Sequence, residues 1–235
     1  MTADMRPRRG RISAGLVRLV PLAAALALAA CADASGNPGR GSGPSVRALN
    51  SMLAQEREVT RGYVKLGDRA EKGEAGPRDP ARAAYWYQKA ADRNDPTALA
   101  KLGSLYVRGD GVPRDPEWAA DLFRRASAMG NNSATAQLGS LYVKGDGVPK
   151  DPAEAARLFR DAAARGHSGA MFQLGSLYAE GRGVPKDPAY AHGLWSLAAS
   201  NGHGGAQERL ARLDVGEGEL ARSAALAEEL LNDPR

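Results

Sequence analysis

Between residues 96 and 130 the apolar positions keep a helical rhythm, break off, and resume. Ala98, Leu102, Leu105 and Tyr106 fall at i, i+4, i+7 and i+8, the stripe of an amphipathic helix that buries one face. The stripe stops at Gly109, a residue suited to the left-handed position after a helix, and Gly-Asp-Gly-Val-Pro follows it. Asp115 can then cap a new helix with its carboxylate, and Pro116 supplies the fixed φ of a first turn. This second helix carries Ala119, Leu122, Phe123 and Ala126 on one face and ends near Gly130. The pattern predicts a hairpin of an A helix and a B helix.

The same pattern returns along the chain. Leu66-Gly67, Leu102-Gly103, Leu138-Gly139 and Leu174-Gly175 are spaced by 36 residues. In register with them run Gly73, Gly109, Gly145 and Gly181; Pro77, Pro113, Pro149 and Pro185; Asp79, Asp115, Asp151 and Asp187, each followed by Pro; and Ala90, Ala126, Ala162 and Ala198. A fixed period of this length marks stacked supersecondary units that share one continuous core. Gly103 and its equivalents sit inside the A helix, where glycine costs about 1 kcal/mol relative to alanine, so close helix approach is the expected reason for them. Val46, Leu49, Met52 and Leu53 suggest a leading helix within 45–61. Leu210 and Leu213 restart an A helix, and Leu220, Leu226, Leu230 and Leu231 form a stripe for a closing helix within 207–235.

The motif L-G-x-L-Y-x-x-G-x-G-V-P-x-D-P, present at 102–116 and 138–152 and nearly intact at 174–188, resembles the Sel1-like repeat, a relative of the tetratricopeptide repeat. The resemblance covers residues 62–206 in four units. It implies an all-α fold, a right-handed α-solenoid of about four helical hairpins with terminal capping helices. Unit one departs from the motif, with Asp68-Arg69-Ala70 for Ser-Leu-Tyr and Ala75-Gly76-Pro77 for Gly-Val-Pro, as an end repeat with less to bury would.

Residues 1–30 follow a different logic. Arg6, Arg8, Arg9, Arg11 and Arg18 precede an apolar run from Leu19 to Ala30 that ends in small residues, the layout of a secretory signal. Its 12 residues fall short of the roughly 20 that span a bilayer as a helix. Leu28-Ala29-Ala30-Cys31 resembles the lipobox of bacterial lipoproteins, which implies cleavage before Cys31 and acylation of its sulfur and new amino group. In that family Asp directly after the cysteine favours inner-membrane retention. Ala32 stands there and Asp33 comes one place late, so the resemblance implies an outer-membrane lipoprotein facing the periplasm. Residues 31–44 are small, polar and rich in Gly and Pro, a tether with a reach of about 20 Å.

Charge and chemistry narrow the function further. The net charge of +5 lies almost wholly in the leader, so a near-neutral mature chain gives no footprint for nucleic acid. Gly-Asp-Gly-Val-Pro follows a helix and lacks the Lys-Ser/Thr of a phosphate loop. Its acidic column reads Glu74, Asp110, Asp146 and Arg182, and an arginine cannot ligate calcium. His167 and His203 occupy equivalent corners of stacked units, about 9–10 Å apart, too far to share a zinc held at about 2 Å by each. They are expected to be structural or solvated. No metal, no cofactor and no nucleophile or acid–base set is expected, and the chain is expected not to be an enzyme. Arg78, Arg114, Lys150 and Lys186 each precede a capping Asp that offsets them.

Three aromatics depart from polar or small columns: Tyr85, Trp118 and Phe172, which either anchor a partner or pack locally. Off the apolar stripe of the A helices lie Lys65, Asp68 and Lys72; Lys101, Ser104 and Arg108; Gln137, Ser140 and Lys144; and Gln173, Ser176 and Glu180. By analogy with tetratricopeptide arrays these line a concave face. The candidate partner-binding residues are therefore Lys65, Lys101, Ser104, Arg108, Trp118, Gln137, Ser140, Lys144, Phe172, Gln173 and Ser176, with Cys31 as the lipidation site. Sequence and resemblance together imply a monomeric, lipid-anchored adaptor that holds envelope proteins, in assembly or polysaccharide export. The alternative is a module that binds or hydrolyses cell-wall glycan.

Overall fold

The computed structural model describes residues 45–74, 76–213 and 216–232. The leader, Cys31 and the tether lie outside them. Among the described residues there are ten helices and no strand. They are α1 (Val46–Lys72), α2 (Pro80–Ala91), α3 (Pro96–Arg108), α4 (Pro116–Ala128), α5 (Asn132–Lys144), α6 (Pro152–Ala164), α7 (Ser168–Glu180), α8 (Pro188–Ser200), α9 (Gly204–Leu210) and α10 (Glu217–Asn232). The chain divides into two compact units, Met1–Val59 and Thr60–Arg235. In the described part of the first, Val46, Met52 and Val59 are exposed. One helix, α1, runs through the expected boundary at 61/62 without a break.

The second unit is a solenoid of hairpins. Residues 60–72 of α1, then α3, α5 and α7 are the A helices; α2, α4, α6 and α8 are the B helices. Asp79, Asp115, Asp151 and Asp187 cap the B helices by accepting from the backbone N–H of Arg82, Trp118, Glu154 and Tyr190. Asp95, Asn131 and His167 cap α3, α5 and α7 in the same way. α4, α6 and α8 pack against their own A helices, α2 meets α1 through Tyr87, and each B helix also packs against the next A helix, so the interfaces alternate along a single row.

A glycine under an aromatic ring joins the two helices of every hairpin. Gly67 lies beneath Tyr87, Gly103 beneath Phe123, Gly139 beneath Phe159 and Gly175 beneath Trp195. A Cβ added at these glycines would come within 2.4, 2.8, 2.9 and 2.7 Å of the respective rings. Tyr87, Phe123 and Phe159 are almost fully buried. The expected close approach is thus real, and an aromatic column four repeats long is its cause.

A second glycine column ties one repeat to the next. Gly111, Gly147 and Gly183, with φ of +73°, +71° and +72°, press against the first residues of the preceding B helix at Pro80-Ala81, Pro116-Glu117 and Pro152-Ala153. The left-handed φ and the lack of room both require glycine. Beside them Val112 and Val148 are buried in the core.

At the C-terminal end the expected stripe is only partly among the described side chains, and Leu220 departs from it. Leu210 and Leu213 do pack on the core of repeats three and four. Leu220, expected in the covering stripe, is 42% exposed, and Leu226 is half-buried. The side chains of Leu230 and Leu231 lie outside the described residues. Among its described side chains α10 buries Ser223 and Ala227, which sit over Gly193 of α8; a Cβ at Gly193 would meet the Ser223 carbonyl oxygen at 2.0 Å. Small residues set this contact, and a leucine stripe does not allow so close a crossing.

Two substitutions separate packing from helix propensity. Gly139→Ala should cost about 1–3 kcal/mol in a melting experiment, because a methyl group must displace the Phe159 ring. Gly62, also helical, has open space around its Cβ direction. Gly62→Ala should therefore stabilise, by up to about 1 kcal/mol.

Candidate partner-binding groove

The A helices α3 and α5 border an open cavity of about 250 Å³ lined by Thr97, Ala100, Lys101, Ser104, Asn131, Ser133 and Gln137. Three of the residues expected to bind a partner, Lys101, Ser104 and Gln137, meet here. The Ser104 hydroxyl donates to the Ala100 carbonyl at 3.0 Å and lies 3.4 Å from the Gln137 amide nitrogen. Asn131 is committed twice, capping α5 through its oxygen and donating to the Pro96 carbonyl at 3.1 Å. Lys101 pairs with Asp68 at 3.0 Å and stands 5.6 Å above the Tyr87 ring. The exposed hydroxyls of Thr97 and Ser133 have no partner among the described residues, which leaves polar capacity along the lining. A space of this size is below the range of enclosed cofactor pockets and suits one or two side chains of a larger ligand.

The other expected residues are placed as follows. Ser140 and Ser176 donate to the carbonyls of Ala136 and Phe172 on their own helices. Gln173, Lys144 and Lys65 are exposed. Arg108 is spent on Glu71 at 3.1 Å and Asp110 at 3.7 Å. Trp118 stands on a B helix, half-buried, with its indole N–H shielded from solvent and lacking an acceptor among the described residues. Phe172 is half-buried, stacked on His203 at 4.4 Å and 6.3 Å from Trp195. Its column neighbour Ala100 lines the cavity, whereas Phe172 fills the corresponding notch beside α9 with its own ring.

Sequence columns alone missed Thr97, Asn131 and Ser133, because a short hydroxyl or amide at a helix start reads first as capping. They also missed an ionic ladder. Arg78 reaches forward 32 residues to Asp110 in the next repeat, and Arg114 does the same to Asp146. Each arginine also donates through Nε to a carbonyl of its own A helix, Glu71 and Val107, both at 3.1 Å. A guanidinium fork can bridge two repeats this way; a lysine cannot. The third rung pairs Lys150 with Arg182 and so fails: Arg182 turns to Glu180 at 3.0 Å, and Lys150 has no carboxylate partner among the described residues.

The histidines are not brought to a metal site. Among the described residues no group of three ligating side chains is assembled. His167 Nδ1 accepts from the Ala170 N–H at 3.0 Å and so must be unprotonated there. Burial, with a lesser contribution from His203, holds its pKa below the ordinary value, and burial does the same for His192. In the first repeat the Tyr87 hydroxyl lies 2.7 Å from an Asp68 oxygen and 2.8 Å from a Glu71 oxygen, which compete for its single proton; burial and these two carboxylates push its pKa up.

A row of capped hairpins with its free polar side chains on the A helices defines a helical-repeat solenoid. Residues 60–95, 96–131, 132–167 and 168–203 match the Sel1 repeat, and the chain belongs to the Sel1 repeat family. Such repeats mediate protein–protein interactions. The chain is similar to the crystal structure of c5321, a protective antigen of uropathogenic Escherichia coli strains with an SLR fold, at 30% identity and a TM-score of 0.62, over 76% of this chain and 40% of that one. It is also similar to a Sel1 repeat protein from Oxalobacter formigenes, at 35% identity and a TM-score of 0.62, over 65% of this chain and 62% of that one. With the immunity protein Pa5087 from Pseudomonas aeruginosa it shares the fold, at 22% identity and a TM-score of 0.50, over 91% of this chain and 84% of that one. The chain spans less than two thirds of the length of the first two. No curated protein matches it.

Rebuilding the missing rung with Lys150→Arg and Arg182→Asp should raise stability by about 0.2–1 kcal/mol, the range of exposed ion pairs, and high salt should remove the gain. The His167 cap makes a second prediction. A folded pKa below the unfolded 6.5 means that this histidine's stabilisation is complete above pH 6.5 and is lost as pH falls below it. His167→Asn, which reproduces the Asn131 cap without titrating, should flatten the decline in Tm between neutral pH and about pH 5. An unchanged decline would assign the titration elsewhere.

Proposed function

We propose that the protein is a lipid-anchored adaptor that faces the periplasm and holds a protein partner along its A helices. The observation that carries this reading is the cavity between α3 and α5, where Thr97, Ser133 and Gln137 offer hydrogen-bonding groups at a scale fitted to a partner's side chains. The family's role in protein interaction supports it. The anchor is supported by the leader and by the Leu-Ala-Ala-Cys sequence ending at Cys31. Two acyl chains or more give stable membrane attachment where a single chain gives only marginal binding. The role is to keep a partner at the inner face of the outer membrane, in assembly or export of envelope material.

Two measurements check the two halves of this reading. Cys31→Ser should abolish incorporation of labelled fatty acid in cells and leave uncleaved precursor; continued labelling would refute the anchor. A photoreactive amino acid at Ser133, in the groove, should give a discrete protein adduct that the same group at Glu117 on a B helix does not give. Equal adducts from both positions, or retention of the chain on peptidoglycan that Ser133→Trp abolishes, would refute the groove as a protein site.

A further inference from the structure

The outward faces of the B helices differ from repeat to repeat. In the second repeat the equivalent positions are Trp118, Asp121, Arg125 and Met129, with Asp121 paired to the neighbouring Arg124 at 2.6 Å; in the third they are Glu154, Arg157, Asp161 and Arg165, paired as Arg157 with Glu154 at 2.6 Å and Arg165 with Asp161 at 2.9 Å. On α8 the column is covered where α10 crosses Gly193. On α2 it reads Arg82, Tyr85 and Lys89, at i, i+3 and i+7, with Arg93 in the turn that follows the helix and no acid on the stripe. All four are exposed.

Aromatic rings hold this face together. Trp86 meets Tyr85 edge-on at 5.0 Å and stacks on Tyr63 of α1 at 5.7 Å. Lys89 Nζ stands 5.5 Å above the Tyr85 ring, and the Arg93 guanidinium stands 5.0 Å above Tyr63. Arg82, Lys89 and Arg93 have no carboxylate partner among the described residues, and the acids of the first repeat are engaged elsewhere. Asp68 and Glu71 hold Lys101 and Arg108, Glu74 holds Lys72, Asp79 and Asp95 cap helices, and Asp92 accepts from Gln88. None of these carboxylates pairs with the side chain of Arg82, Lys89 or Arg93.

Cations interleaved with Tyr and Trp match a phospholipid surface, where aromatic rings settle at the headgroup level and Lys and Arg meet the phosphates. We propose that this face of the first repeat docks on an anionic phospholipid surface. An acidic protein offers the same charge, yet Lys89 already stands over Tyr85, Arg93 stands over Tyr63 and Trp86 is packed between the two tyrosines, which leaves a partner's apolar side chain little to insert against. The first repeat is also the one that follows Cys31 most closely in the chain. The choice of lipid over protein rests in that one respect on the anchoring reading, and the two can fail separately, because fatty-acid labelling of Cys31 does not depend on how the repeats lie. Arg82, Lys89 and Arg93 would each contribute roughly fivefold in favour of the docked state.

The test uses the full chain with vesicles of equimolar phosphatidylglycerol and phosphatidylcholine, the latter brominated so that it quenches tryptophan at the interface. Quenching is expected for the wild type and absent on vesicles of phosphatidylcholine alone. Trp86→Phe should remove the quenched component, since Trp118 and Trp195 lie on other repeats. Arg82→Gln/Lys89→Gln/Arg93→Gln should also remove it, with a circular dichroism spectrum unchanged because all three side chains are exposed. Equal quenching of the triple variant, equal quenching on neutral vesicles, or a Trp86 response to polyglutamate in solution without one on vesicles would overturn the proposal, the last by assigning the face to an acidic protein.

Discussion

The ring-on-glycine contact sets the geometry on which the rest of this solenoid depends. An aromatic side chain on each B helix packs against a glycine on its A helix so closely that a Cβ has no room there. This fixes how near the two helices of a hairpin come, and therefore where the Gly-x-Gly turn leaves the A helix. The turn's second glycine then presses on the preceding B helix at a fixed point. Helix spacing within a repeat and docking between repeats are thus two consequences of one steric requirement. Both columns cost helix propensity or backbone freedom, and buried aromatic area offsets that cost.

Between repeats the bonding is less uniform. Arg78 and Arg114 clasp the next turn, but the third rung sets Lys150 against Arg182. The first repeat replaces the hydroxyl column Ser104, Ser140 and Ser176 with Asp68, which anchors Tyr87 and Lys101. At the other end Gly193 lets α10 cross α8 at close range. Since each repeat touches only its neighbours, such local departures alter one interface at a time and leave the others intact.

Much of this was legible in the sequence. The period of 36, the Asp-Pro starts and the glycine stops placed every hairpin, because capping and left-handed turns are local and each has few residue solutions. The mid-helix glycines also foretold close approach. What stayed hidden depends on distances across repeats. The Arg78–Asp110 bond joins residues 32 apart, a spacing that no helix or strand rule singles out. Leu220 looked like a cover and is exposed, because a crossing at Gly193 selects Ser223 and Ala227 by size rather than by hydrophobicity. Lys101, Ser104 and Gln137 were found from the A-helix columns. Thr97 and Ser133 were not, since their hydroxyls read equally well as part of a helix start.

A rigid row of hairpins gives an adaptor its main property, which is that small polar residues on the A helices hold their spacing whatever binds them. The groove at Thr97, Ser133 and Gln137 therefore inherits its shape from the glycine contacts beneath it. A double-mutant cycle between Gly139 and Phe159 tests that dependence directly. If the ring sets the spacing, Gly139→Ala is destabilising in the wild type and becomes neutral or stabilising in a Phe159→Leu background, with a coupling of about 0.5–3 kcal/mol. Additive effects of the two substitutions would contradict the account.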